Sequence, residues 1–117
     1  MGYSVDLQFA ENKTELQVSQ IDNMITKGAK VLIISPIDVS TLTNVLETAK
    51  QQDVCVISYD RLIVNSDAVD YYATFDNTII GQIIGKYVVD QLNLENNAGP
   101  FNMEIVSGPN SDATRVL

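Results

Sequence analysis

Two short apolar runs without polar alternation, at 31–34 and 54–58, are the clearest pattern in the chain. Both are rich in Val and Ile, which favour the pleated backbone of a strand. Such a run predicts a strand that is buried on both faces, as in a parallel sheet. Residues 5–9 alternate instead between apolar and polar side chains, which predicts a half-exposed strand near the edge of a sheet.

Two segments with helical periodicity separate these strands. Asn12 followed by Glu15 has the spacing of a capping box, and it predicts the start of a helix that ends at Gly28. Asp38 or Ser40 is expected to cap the next helix. That helix carries apolar side chains three and four positions apart, at Leu42, Val45, Leu46 and Ala49. Each helix therefore has one face that can pack against a sheet.

The same alternation of strand and helix continues after a polar connection. Residues 71–75 predict a short strand, and 103–106 predict another. Between them, Asp76 begins a third helix that runs to about Leu92 and has a broad apolar face expected to be buried: Ile80, Ile83, Ile84, Tyr87 and Val88. Strands alternating with helices predict an α/β fold with parallel strands and right-handed crossovers.

Composition narrows the class of protein. The 117 residues form one domain or part of a larger one, and 45% of them are hydrophobic, as is ordinary for a globular chain. The net charge is −8 and the seven Lys and Arg residues are scattered singly, which argues against a nucleic-acid partner. No apolar run is long enough to span a membrane, and residues 1–6 do not look like a signal peptide.

The chain offers little of the chemistry that enzymes and metal sites use. It has no His and one Cys, so we expect no metal and no cofactor. Cys55 lies inside an apolar run and is expected to be a small core residue. No nucleophile elbow and no phosphate-binding glycine loop is present in the sequence, so we expect a protein that is not an enzyme.

An acid and a base follow the second apolar run directly, at Asp60 and Arg61. Ligands of open α/β sheets bind beyond the carboxyl ends of the strands, which is where this pair is predicted to lie. A carboxylate acceptor beside a guanidinium with five donors suits a ligand with many hydroxyl groups. A surface ion pair is the alternative interpretation. The aromatic residues of the strands could stack on such a ligand, although strand aromatics are more often core: Tyr59, Tyr71, Tyr72 and Phe75.

The chain resembles the type I periplasmic sugar-binding proteins of ABC transporters, most closely the xylose and multiple-sugar receptors. The resemblance runs over nearly the whole chain in matching order. Its most specific part is Tyr59-Asp60-Arg61 after a buried strand. Four segments carry it: 20–25 with Gly28, 31–38, 56–63, and 75–77 with Gly81.

The resemblance implies a doubly wound, parallel-sheet fold of two lobes, with a monosaccharide such as xylose bound in the cleft between them. Residues 1–75 would be most of the first lobe, and 76–117 the hinge crossing and the start of the second. The fold would be incomplete, because the family's first strand and helix and most of its second lobe lie outside the chain. Partners would be the membrane subunits of the transporter, and the location would be the periplasm or the extracellular surface.

The resemblance also assigns site residues. Asp60 would accept hydrogen bonds from sugar hydroxyls, and Arg61 would donate them to sugar oxygens. Asp112 lies in a loop where the family commonly has an asparagine, and it is the third candidate ligand residue.

Two other functions remain open at this stage. A similar fold serves as the effector-binding domain of LacI-like transcription regulators. Alternatively, the chain is a fragment with no independent activity, in which unpaired strand edges would favour self-association.

Overall fold

The computed structural model describes residues 2–97, 99–104 and 106. In chain order the elements are α1 (Thr14–Thr26), β1 (Val31–Ile34), α2 (Thr43–Gln51), β2 (Cys55–Tyr59), β3 (Tyr71–Ala73) and α3 (Asn77–Gln91). The described residues divide into two compact units, with the division between Thr74 and Phe75.

The first unit is built on a parallel three-stranded sheet in the order β1-β2-β3. Leu32 pairs with Val56 in the first ladder, and Ser58 pairs with Tyr72 in the second. The α/β fold class with a parallel sheet is therefore confirmed. All three strands point the same way, so their carboxyl ends meet at one edge, with Ser35, Asp60 and Thr74 as the residues that follow them.

One face of the sheet carries the core. Leu32 and Ile34 of β1 and Val56 of β2 are buried, and they pack in one cluster with residues of both helices: Ile21 and Ile25 of α1, and Val45, Leu46 and Ala49 of α2. Val31 and Ile33 on the opposite face are exposed. The prediction that these strands are buried on both faces was wrong, because α1 and α2 pack on the same face; on the other face Cys55 and Ile57 of β2 are only half-buried.

The ends of the helices follow the sequence only in part. Gly28 ends α1 with a φ of 86°, and Asp76 caps α3 by accepting a hydrogen bond from the Ile79 amide at 3.0 Å, both as predicted. Asn12 does not cap α1, because its φ of 62° is incompatible with the extended backbone of a cap, and Lys13 takes that position. Leu42, rather than Asp38 or Ser40, precedes α2.

Three further predictions fail among the described residues. Residues 5–9 do not form a strand; Val5, Leu7 and Phe9 are exposed, and β1 does not pair with them. Residues 103, 104 and 106 are not in a strand, and Ile105 lies outside the described residues. The apolar face of α3 is not buried: Ile80, Ile83, Ile84 and Tyr87 are exposed, and Val88 is half-buried.

No helix in the described part of the chain has both the length and the apolar character needed to cross a membrane.

Candidate functional site

Asp60 stands at the carboxyl edge of the sheet in an unusual backbone conformation. Its φ is 66°, and the Arg61 amide donates a 2.8 Å hydrogen bond across it to the Tyr59 carbonyl. A bond between residues two apart, around a positive φ, is the pattern of the more strained form of γ-turn. The left-handed conformation costs a non-glycine residue about 1–2 kcal/mol, although Asp tolerates it better than most.

The main chain of Asp60 is held by β3 and the residue after it. Its amide donates to the Ala73 carbonyl at 2.9 Å. Its carbonyl accepts from the Thr74 hydroxyl at 2.9 Å and from the Tyr72 hydroxyl at 3.2 Å. Both backbone polar groups of Asp60 are thus satisfied while its side chain is exposed to solvent.

Arg61 is half-buried and connects the exits of two strands. Its Nη1 donates a long 3.4 Å hydrogen bond to the carbonyl of Ile37, in the loop that follows β1. Its own carbonyl accepts a 2.6 Å bond from the hydroxyl of Ser58. Ser58 is fully buried, and its hydroxyl also accepts a hydrogen bond from the Ile63 amide at 3.0 Å. One buried hydroxyl therefore binds the main chain on the carboxyl side of the turn at two points.

The loop after β1 is fixed by a side chain of α1. Gln17 donates to the Ser35 carbonyl at 2.9 Å and accepts from the Ile37 amide at 3.0 Å. In the same loop, Asp38 accepts hydrogen bonds from the hydroxyl and the amide of Ser40, at 2.7 and 2.9 Å, and these bonds lower the pKa of Asp38. Asp38 therefore shapes its own loop.

The predicted site residues fare differently. The structure places Asp60 and Arg61 together at the carboxyl edge, whereas Asp112 lies outside the described residues. The expectation that the strand aromatics are core was wrong. All four are exposed: Tyr59, Tyr71, Tyr72 and Phe75. Tyr59 directly precedes Asp60 and Arg61, and 48% of its surface is accessible to solvent. Sequence reasoning missed Gln17, Tyr72 and Thr74 as supports, because their hydrogen bonds reach residues 12 to 20 positions away. It also missed Ser58, whose hydroxyl bonds the main chain three and five residues further on.

The opposite edge of the sheet also carries acidic residues. A shallow cleft there is lined by Lys50, Asp53, Cys55, Asp67 and Asp70 among others. Lys50 and Asp67 form a 2.7 Å ion pair, and Asp70 accepts a 2.8 Å hydrogen bond from the Val56 amide. Cys55 is half-buried rather than fully in the core, and burial together with the Asp70 carboxylate raises the pKa of its thiol. Among the described residues, no group of three or more side chains is arranged to hold a metal ion.

Comparison with known proteins shows which family the chain belongs to. The family model described as the periplasmic binding protein domain matches residues 1–115. The multiple sugar-binding periplasmic protein SbpA of Azospirillum brasilense is 51% identical over 95% of this chain and 31% of its own length. The D-xylose-binding periplasmic protein of Escherichia coli is 42% identical over 77% of this chain and 27% of its own.

A solved structure has the same fold. It is an ABC transporter solute-binding protein from Clostridium phytofermentans with bound β-D-glucose, with a TM-score of 0.91 and 52% identity over 98% of this chain and 36% of that one. The names of these relatives describe sugar-binding and solute-binding proteins, one of them of an ABC transporter. The chain spans about a third of the length of the curated relatives that it matches. From the match over residues 1–115 and these identities, the chain belongs to the periplasmic binding protein domain family.

Proposed function

We propose that the protein is the sugar-binding receptor of an ABC uptake system, working with membrane subunits from the periplasmic or extracellular side. The observation that carries the proposal is the pair Asp60 and Arg61 at the carboxyl edge of the parallel sheet. The Asp60 carboxylate is exposed while its backbone is held, so it is available to accept from sugar hydroxyls. The sugar-binding and solute-binding proteins among the relatives favour this function over that of a transcription regulator.

The proposed ligand is a monosaccharide such as xylose. Xylose and glucose both occur in the names of relatives, so both belong in the first test. Arg61 would donate to ring or hydroxyl oxygens with its fork of donors. Asp112, outside the described residues, remains in the proposal as a third contact.

Binding of xylose, glucose and arabinose to the complete protein tests the proposal by calorimetry. Asp60→Asn removes the charge but keeps a residue that tolerates a left-handed backbone. We expect it to lose about 1–1.5 kcal/mol of binding free energy, or roughly 5- to 13-fold in affinity, because a hydrogen bond to a charged acceptor is replaced by a weaker bond to a neutral one.

Asp53→Asn is the matched control. Asp53 is also exposed and left-handed, with a φ of 53°, but it lies just before β2 at the opposite edge. The sugar affinity of the Asp53→Asn variant should equal that of the wild type. The proposal fails if none of the sugars binds, or if the two variants bind equally well.

A further inference from the structure

The strained turn at Asp60 needs something to hold it. A left-handed aspartate in a γ-turn reverts to a commoner backbone conformation unless the surrounding structure fixes it. Strained backbone of this kind clusters at ligand-binding sites, where it can direct a side chain toward the ligand. Here, the carboxylate of Asp60 is exposed, and its aim is set by the φ of 66°.

The holding groups come from the last residues of the neighbouring strand. The carbonyl of Asp60 has two lone pairs, and two hydroxyl groups donate to it, those of Thr74 at 2.9 Å and Tyr72 at 3.2 Å. Together with the bond from the Asp60 amide to the Ala73 carbonyl, they tie the turn to the end of β3. The shorter of the two hydroxyl bonds, from Thr74, is expected to contribute more.

We propose that Thr74, assisted by Tyr72, is a positioning residue of the sugar site. It holds the backbone of Asp60 in the left-handed turn, and the turn directs the carboxylate out of the sheet edge toward the ligand. This inference rests on the proposed sugar-binding function. It adds two residues, Thr74 and Tyr72, that need not contact the sugar themselves. Substitutions at these residues would alter the affinity for sugar.

Isosteric substitution tests the proposal. Thr74→Val removes the hydroxyl and keeps the shape, and we expect sugar affinity to fall about five- to tenfold, as for the loss of one hydrogen bond. Thr74→Ser keeps a hydroxyl and should restore most of the affinity. Tyr72→Phe should cost about two- to threefold.

Thr43→Val is the matched control. The Thr43 hydroxyl also donates to the carbonyl of a left-handed residue, Asn65, at 3.2 Å. Losing that bond should leave sugar affinity unchanged. If Thr43→Val weakens binding as much as Thr74→Val does, the effect is a general loss of stability and the proposal is overturned.

A double-mutant cycle separates positioning from mere structural support. In the Asp60→Gly background, Thr74→Val should cause little further loss of affinity, because glycine tolerates the positive φ and leaves no side chain for the turn to position. Additive losses would overturn the proposal, and so would a Thr74→Val protein that binds sugar like the wild type.

A measurement without sugar keeps the two proposals distinguishable. Hydrogen exchange of the Asp60 amide should speed up in Thr74→Val but not in Thr74→Ser, because release of the turn breaks the bond to Ala73. If the wild type binds none of the sugars, the proposed function fails, and faster exchange would still support the holding of the turn by Thr74. Unchanged exchange would overturn that holding role, whatever the binding result.

Discussion

The two edges of the same small sheet use acidic residues in opposite ways. At the edge where the strands begin, the Asp67 carboxylate forms an ion pair with Lys50, and the Asp70 carboxylate accepts a hydrogen bond from the Val56 amide. At the carboxyl edge, the hydrogen bonds go to the backbone of Asp60 and leave its carboxylate exposed. Acidic side chains at a strand end are therefore not equivalent: Asp67 and Asp70 stabilise the fold, and Asp60 is available for a ligand.

The largest effect on folding is expected from Asp70→Ala. The Val56 amide is buried, and without the Asp70 carboxylate it loses its 2.8 Å partner. An unsatisfied buried donor costs about 1–3 kcal/mol, so the free energy of unfolding in urea should fall by about 2 kcal/mol. Asp70→Asn keeps an acceptor oxygen and should lose less. Sugar affinity of the folded Asp70→Ala protein should not change; a large loss would remove the distinction between the edges.

A smaller effect is expected at the exposed pair of Lys50 and Asp67. The Lys50 ammonium, hydrogen-bonded to Asp67, holds the pKa of Asp67 below its ordinary value of 3.8. A carboxyl whose pKa is lower in the folded state stabilises the fold above that ordinary value, and the contribution is lost as the pH falls through the folded pKa. Lys50→Gln should therefore reduce the drop in Tm between about pH 5 and pH 3.

Thermal melts at several pH values measure this effect. The Asp67→Asn variant is the control, and it should lose the same part of the pH dependence. A Lys50→Gln protein with the wild-type pH dependence would show that the pair contributes nothing to stability, as is common for exposed ion pairs.

The periodic pattern of the sequence predicted the elements of the first unit well. The apolar runs gave β1 and β2, and the three- and four-residue spacing gave α1, α2 and their buried face. These features are local, and one face of each helix must be buried wherever it packs. The position of Asp60 and Arg61 at the end of a strand could also be predicted, because it depends only on where β2 ends.

Features that depend on a distant partner could not be predicted. Residues 5–9 alternate as a strand should, but alternation specifies a face and does not supply a neighbouring strand to pair with. Burial of the second sheet face and of α3 likewise needs another packed layer. The hydroxyl bonds from Tyr72 and Thr74 join residues 12 and 14 positions from Asp60. The left-handed turn that they hold has no signal in the sequence beyond the tolerance of Asp for it.

Backbone amide NMR during a sugar titration of the complete protein tests the contrast between the two edges most directly. Glucose or xylose should shift the amide signals of Tyr59, Asp60 and Arg61 at the carboxyl edge. Those of Asp53 and Cys55, at the other end of the same strand, should stay in place. Shifts centred on Asp53 and Cys55, or none at the carboxyl edge at saturating sugar, would contradict the account.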